Sequence, residues 1–240
     1  MPVYRRIVNN VGVKNTTQSG KGLLGSASIV AFMTLLSRIF GFMRDIVLAS
    51  VFGAGGSLDA FLVAFKIPNF FRRLFGEGAF SQAFVPLLAN LSSEEQHETV
   101  LAFVSRVFSN LALCLMILVA LAETFAPGLI WLFAPGFGRD PVRLQLATHM
   151  LRVTFPYILL ISLTAMSAAV LNTHKRFALP AFTPVLLNVA LISVALCWAP
   201  HVAQPIYVLA WGVVIGGVLQ LALQIPALIK LGLLPRIKVD

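Results

Sequence analysis

The chain has 240 residues, of which 58% are hydrophobic and only 11% charged, and its mean hydropathy is +0.89. Charged residues make up about 25% of an ordinary soluble domain, so this composition excludes a soluble globular protein and calls for one embedded in a membrane. A formal charge of +9 would suggest a nucleic-acid partner in a soluble chain; here most Lys and Arg fall at helix ends or inside apolar runs, which excludes a separate basic domain.

Residues 1–22 are polar and basic, with Arg5, Arg6, Lys14 and Lys21, and are expected to form a disordered cytoplasmic tail ahead of a helical lobe over 23–240. The apolar run that follows is too long and too charged to be a cleavable signal. A helix needs roughly 20 residues at 1.5 Å rise to cross about 30 Å of hydrocarbon. On that measure hydropathy predicts an all-α bundle of about six transmembrane helices, over 23–49, 59–90, 99–135, 143–173, 179–200 and 205–233. Glycine and proline mark the joints: Gly53, Gly55 and Gly56 after the first span, Pro135 to Pro141 after the third, Pro180 and Pro184 opening the fifth, Pro200 and Pro205 before the sixth. The basic tail, the Lys175-Arg176 turn and the terminal Lys230, Arg236 and Lys238 share one side, which predicts cytoplasmic termini by the positive-inside rule. Cys114 and Cys197 lie far apart in apolar runs and are expected to be buried free thiols.

The first two spans carry charge that the bilayer should not tolerate. Arg38, Arg44, Asp45, Asp59, Lys66, Arg72, Arg73 and Glu77 all lie there, and each ionised group at the bilayer centre costs about 2.5 to 3.5 kcal/mol on insertion scales. Such groups must face something polar, and a water-filled cavity holding an anionic cargo fits their surplus of bases over acids. Seven residues advance a helix by about 700°, so Arg38 and Asp45 share a face of the first helix. Asp59, Lys66, Arg73 and Glu77 would form one stripe on the second if it were continuous, a stripe about 27 Å long. That length describes a route across the membrane better than an isolated site.

Pro68 removes a backbone donor within the stripe, and Gly76 and Gly78 loosen the turn around Glu77. With Gly41 and Gly55, these residues are the candidate hinges, since broken transmembrane helices can absorb the bending of alternating access. Arginine points to phosphate: its guanidinium fork donates two parallel hydrogen bonds and stays charged in a poor dielectric. Asp45, Asp59 and Glu77 would partly balance the bases in an empty cavity. The competing reading is a set of structural ion pairs locking the first two helices together, against which stands the excess of bases.

The runs Ser37-Arg38-Ile39-Phe40-Gly41-Phe42-Met43-Arg44-Asp45, Asp59-Ala60-Phe61, Phe65-Lys66-Ile67-Pro68-Asn69 and Arg72-Arg73-Leu74-Phe75-Gly76-Glu77-Gly78-Ala79-Phe80-Ser81-Gln82 closely resemble the start of the MurJ (MviN) lipid II flippases. Similarity continues through Thr154-Phe155-Pro156-Tyr157 to Gly216-Gly217-Val218-Leu219-Gln220. The resemblance implies the N-terminal lobe of an exporter of the multidrug/oligosaccharidyl-lipid/polysaccharide (MOP) superfamily in the bacterial cytoplasmic (inner) membrane. It implies flipping of the undecaprenyl-pyrophosphate-linked peptidoglycan precursor by alternating access, in the service of cell-wall synthesis and cell shape. Arg38, Arg44, Asp59, Arg72, Arg73 and Glu77 match the family's cavity positions and would bind that substrate, with Asp45 and Lys66 as neighbours. Family members resemble two lobes plus additional C-terminal helices, so this chain is expected to be a truncated product, a fragment, or a half that pairs with a second lobe. A multidrug or metabolite antiporter of the same superfamily and a non-transporting scaffold for cell-wall synthesis proteins are the alternatives.

Other chemistry is sparse. Gly20-Lys21-Gly22 lacks the spacing of a phosphate-binding loop, and His97, His149, His174 and His201 are scattered without ligand spacing. Neither a nucleotide, a metal nor another cofactor is therefore expected. Transport would draw on an ion gradient or on the membrane potential, worth about 2.3 kcal/mol per charge per 100 mV. Gly212-Val213-Val214-Ile215-Gly216 predicts a small-residue face for close helix packing.

Overall fold

The computed structural model describes residues 17–73, 79–94 and 97–236. Among them the regular structure is helical throughout, in nine α-helices: α1 Thr17–Phe52, α2 Gly56–Arg72, α3 Ala79–Glu94, α4 His97–Thr124, α5 Ala126–Phe133, α6 Pro141–Thr154, α7 Tyr157–Thr173, α8 Ala178–Ser193 and α9 Tyr207–Lys230. Four stretches are long and apolar enough to cross a membrane, namely α4, α6 with α7, α8 with its extension to His201, and α9. Helix α1 has 36 residues and so reaches about 54 Å.

Several expected spans are interrupted. The run expected over 99–135 breaks at Phe125, where α5 opens with Pro127 in its first turn; a 3-10 turn, Pro135–Arg139, follows it. The span over 143–173 divides at Phe155 and Pro156, because proline cannot donate to the preceding turn. Helix α6 begins where its sequence dictates: Asp140 caps it, Oδ1 accepting from the Arg143 amide at 3.1 Å, and Pro141 supplies a preset φ at the first position. After α8 the chain widens through a π turn, Val194–Trp198, and then tightens in a 3-10 turn, Ala199–His201.

The span expected over 59–90 is described as two helices, but Pro68 is not the joint. Helix α2 runs through Pro68 and ends at Arg72. The missing donor is replaced from outside, since the Thr154 hydroxyl of α6 donates to the Ala64 carbonyl at 3.2 Å, four residues before the proline. Gly76, Glu77 and Gly78 lie outside the described residues. Gly41 sits within the continuous α1, and Gly55 is the extended N-cap of α2.

Helices α7 and α9 form the centre, with α8 against α9, α1 against α8, and α2 against α6. The small-residue face forms as expected. A Cβ on Gly212 would lie 2.6 Å from Val194 Cγ2, one on Gly216 would lie 2.7 Å from Leu187 Cδ1, and one on Gly217 would lie 2.7 Å from Tyr157 Cδ2. Only glycine lets α9 approach α7 and α8 so closely. Large apolar side chains such as Phe32, Phe42, Ile117, Leu121, Trp131, Trp211 and Ile229 are exposed on the outside of the lobe, the reverse of a soluble protein and the pattern lipid contact requires. Cys114 and Cys197 are free but exposed rather than buried; in a membrane helix an apolar run covers both the lipid face and the packed face.

Candidate functional site

Five of the charged residues singled out on α1, on α2 and at its C-cap lie on the outer surface of the lobe. Arg38 and Asp45 are exposed on α1, and Asp59, Lys66 and Arg73 are exposed at seven-residue intervals along α2, an ascent of about 21 Å from Asp59 to Arg73. Asp59 lies in the first turn of α2, where the helix dipole favours a carboxylate. Glu77, the expected fourth member of the stripe, lies outside the described residues.

Arg44 is the anchored member of the set. Its side chain is 22% exposed; Nη1 donates to Asn188 Oδ1 of α8 at 3.0 Å, while Nη2 and Nε donate to Asp45 Oδ1 at 2.7 and 3.0 Å. Asn188 Nδ2 in turn donates to the Ser37 carbonyl at 3.3 Å. This side chain therefore holds α1 at two points one turn or more apart. The Arg44 guanidinium thus engages its own neighbour and α8, not α2, which differs from a cross-helix lock between the first two spans.

Arg72 points elsewhere. It is half-buried and, with Asn69, Tyr157, Thr183, Gln220 and Gln224, lines a cleft of about 540 Å³ between α2, α3, α7, α8 and α9. The cleft wall is a neutral hydrogen-bonded chain: Tyr157 Oη donates to Gln220 Oε1 at 3.2 Å, Gln220 Nε2 to the Thr183 carbonyl at 3.1 Å, and Gln224 Nε2 to Thr183 Oγ1 at 3.1 Å. The site residues thus separate into exposed charges along α1 and α2 and a cleft between helices, with Arg72, among the described members of the expected set, lining the second. Among the described residues no group of three or more His, Cys, Asp or Glu is placed to hold a metal ion.

The family profile for lipid II flippase MurJ matches residues 48–240. The chain belongs to the MurJ lipid II flippase family. The MurJ of Burkholderia cenocepacia is 47% identical over 208 residues, covering 87% of this chain and 40% of the relative. A probable lipid II flippase MurJ of Buchnera aphidicola subsp. Acyrthosiphon pisum is 43% identical over 205 residues, covering 85% of this chain and 40% of its own length. A solved structure of lipid II flippase MurJ in an inward closed conformation superposes with a TM-score of 0.71 at 35% identity, over 84% of this chain and 42% of that one. The chain therefore spans about two fifths of the length of these relatives. Membership of the MurJ family and the apolar helices together make it a multi-pass inner-membrane protein of a transporter fold, as the residue pattern indicated.

Asn188, Thr183, Gln220 and Gln224 were not singled out as site residues from the sequence. A lone amide in an apolar run carries no periodic signal. The one available clue was the Pro184 and Asn188 spacing, repeated at Pro86 and Asn90 within matching apolar frames.

Proposed function

We propose that this chain forms the N-terminal lobe of a lipid II flippase and that its outward-facing cations bind the pyrophosphate of the lipid-linked precursor. The observation that carries the reading is the placement of Arg38, Arg44, Lys66 and Arg73 on the first two helices of a lobe whose outside carries many large exposed apolar side chains. Four cations in this setting call for an anion, because a diphosphate carried unaided through hydrocarbon would meet a Born cost of tens of kcal/mol. Guanidinium forks replace the lost hydration, and the polyprenyl tail stays in the bilayer while the head group passes across. A second lobe, covalently joined or supplied by another chain, would close the ionic face into a cavity. Asp45 and Asp59 limit repulsion among the bases when no cargo is bound. Both termini are cytoplasmic on this reading, and the driving force is an ion gradient or the membrane potential.

The test is rescue of cells depleted of their own lipid II flippase, by this chain alone and by the chain joined to a second lobe from a relative. Rescue by the joined form that is lost with Arg44→Ala and Arg73→Ala supports the reading. Full rescue by the doubly substituted form would mean that the cations do not handle the cargo.

A further inference from the structure

The exposed side of α2 carries more than charge. Beyond the first turn its exposed residues are Leu62, Lys66 and Phe70, with Arg73 at the C-cap, and steps of four, four and three keep them on one face. Phe70 therefore stands between the two cations. Residues at such steps have Cβ atoms about 5–6 Å apart, so whatever engages Lys66 and Arg73 also meets the Phe70 ring.

Half of Phe70 is open to the surroundings, yet its ring is held in place. It meets Phe133 of α5 edge to face at 5.5 Å between centroids and Phe71 at 5.6 Å. Phe71 in turn lies 5.8 Å from Phe155, which is buried. Pairs of this kind add about 0.5–1.5 kcal/mol each beyond the area they bury, so four rings from α2, α5 and the junction of α6 with α7 form a braced ledge. The exposed Leu132 and Phe133 continue its apolar surface along α5.

Exposed apolar residues are ordinary in lipid, because hydrocarbon chains are as apolar as leucine and no hydrophobic force prefers one chain to another. Selection among chains has to come from dispersion contact with a surface whose shape is fixed. The ledge is such a surface, and it adjoins two cations. One amphiphile satisfies both: an anionic head for Lys66 and Arg73, joined directly to a chain with flat, methyl-branched segments for the ring faces. A bilayer phospholipid fits poorly, since glycerol and ester groups separate its phosphate from straight acyl chains. An isoprenoid pyrophosphate fits, since its chain starts at the phosphate oxygen and its double bonds and methyl branches start with the first unit.

We propose that Phe70 and Phe133 form a chain-selecting site that seats the first isoprene units of a prenyl pyrophosphate against α2 and α5. The place of the diphosphate between Lys66 and Arg73 rests on the flippase reading above; the preference of the ledge for isoprenoid over straight chains stands on the rings alone.

The experiment uses the purified chain in phosphatidylcholine nanodiscs and four lipids of matched chain length: a polyprenyl pyrophosphate, a saturated alkyl pyrophosphate and the two corresponding alcohols. Bound lipid is counted by native mass spectrometry. Within each pair the prenyl lipid should bind about fivefold more tightly, the scale of one well-placed aromatic contact, and Phe70→Leu combined with Phe133→Leu should abolish that ratio. Leu121→Ala, on the exposed side of α4, should leave it in place. Thermal unfolding identifies any variant that fails to fold, and the two phenylalanine changes made singly give further readings of the same ratio. Equal binding of prenyl and alkyl lipids, a ratio that survives the paired change, or a ratio lost also with Leu121→Ala would each overturn the proposal, leaving the rings as general lipid contact. Absence of binding by both isoprenoids would overturn it too. Pyrophosphates that bind no better than the alcohols would count against the ionic face alone, because the alcohol pair still reads the ledge.

Discussion

Helices α1 and α2 present charge outward, whereas α7, α8 and α9 turn neutral polar groups inward. On the first surface Arg38, Asp45, Asp59, Lys66 and Arg73 are exposed, and the ion pair between Arg44 and Asp45 is half open to the surroundings. In the second region Tyr157, Thr183, Gln220 and Gln224 are buried and joined by hydrogen bonds across three helices. A helix bundle in lipid has no hydrophobic force holding its helices together, so packing and satisfied neutral polar groups must do so. Charge is costly for that task, which among the ionic residues Arg44 shares through Asn188, and on the proposed reading the exposed charges lie where a cargo or a second lobe can meet them. On that reading the contrast separates residues that hold the lobe together from residues exposed to something outside it, and Arg44, bonded to Asn188, belongs to both.

The largest expected effect falls on the outward face. Arg44→Ala combined with Arg73→Ala should reduce rescue by the two-lobe form roughly thirtyfold or more, corresponding to about 2 kcal/mol or above for truncated charge contacts. Thermal unfolding should stay within about 0.5 kcal/mol for the Arg73 change alone, as for exposed positions generally. The packed region should show the opposite pattern. Gly217→Leu forces a side chain onto Tyr157 and should lower stability by about 1–3 kcal/mol, as overpacking does, read as a fall in the unfolding midpoint in detergent.

Asn188 joins the two regions and should show an intermediate effect. Asn188→Ala frees the Arg44 guanidinium from α8 and removes the bond to the Ser37 carbonyl, so activity should fall about tenfold with a stability loss of about 1 kcal/mol. Equal stability and full activity would show that Arg44 needs no positioning. The smallest effect is expected at Lys175, which has φ of 60° at the end of α7. The Arg176 amide donates to the Leu171 carbonyl at 2.9 Å and the Lys175 amide to Asn172 at 3.0 Å, a glycine-type helix stop. Lys175→Gly should therefore stabilise the lobe by up to about 1 kcal/mol, measured as a higher unfolding midpoint.

Much of the fold was legible because its signals are local. Apolar runs located the helices, Pro135 to Pro141 marked the joint ahead of α6, and the glycines of α9 predicted close packing. The interruptions at Phe125 and Pro156 were not legible, since apolar residues continue across them and a membrane segment shows no change in hydropathy at a break. Pro68 misled for a different reason, its missing donor being supplied by Thr154, 90 residues away from the carbonyl it serves. The ionic residues stood out because charge is rare in such a chain. The neutral cleft did not, because its hydrogen bonds join residues 63, 37 and 41 positions apart, and single amides reveal nothing until those helices meet.

The most direct measurement is the affinity of the purified chain, in nanodiscs, for a polyprenyl pyrophosphate compared with the same prenyl alcohol. The account predicts tighter binding of the pyrophosphate, weakened by salt and lost at least tenfold with Arg44→Ala and Arg73→Ala. Equal affinity for the two lipids, or a pyrophosphate preference unchanged by those substitutions, would contradict it.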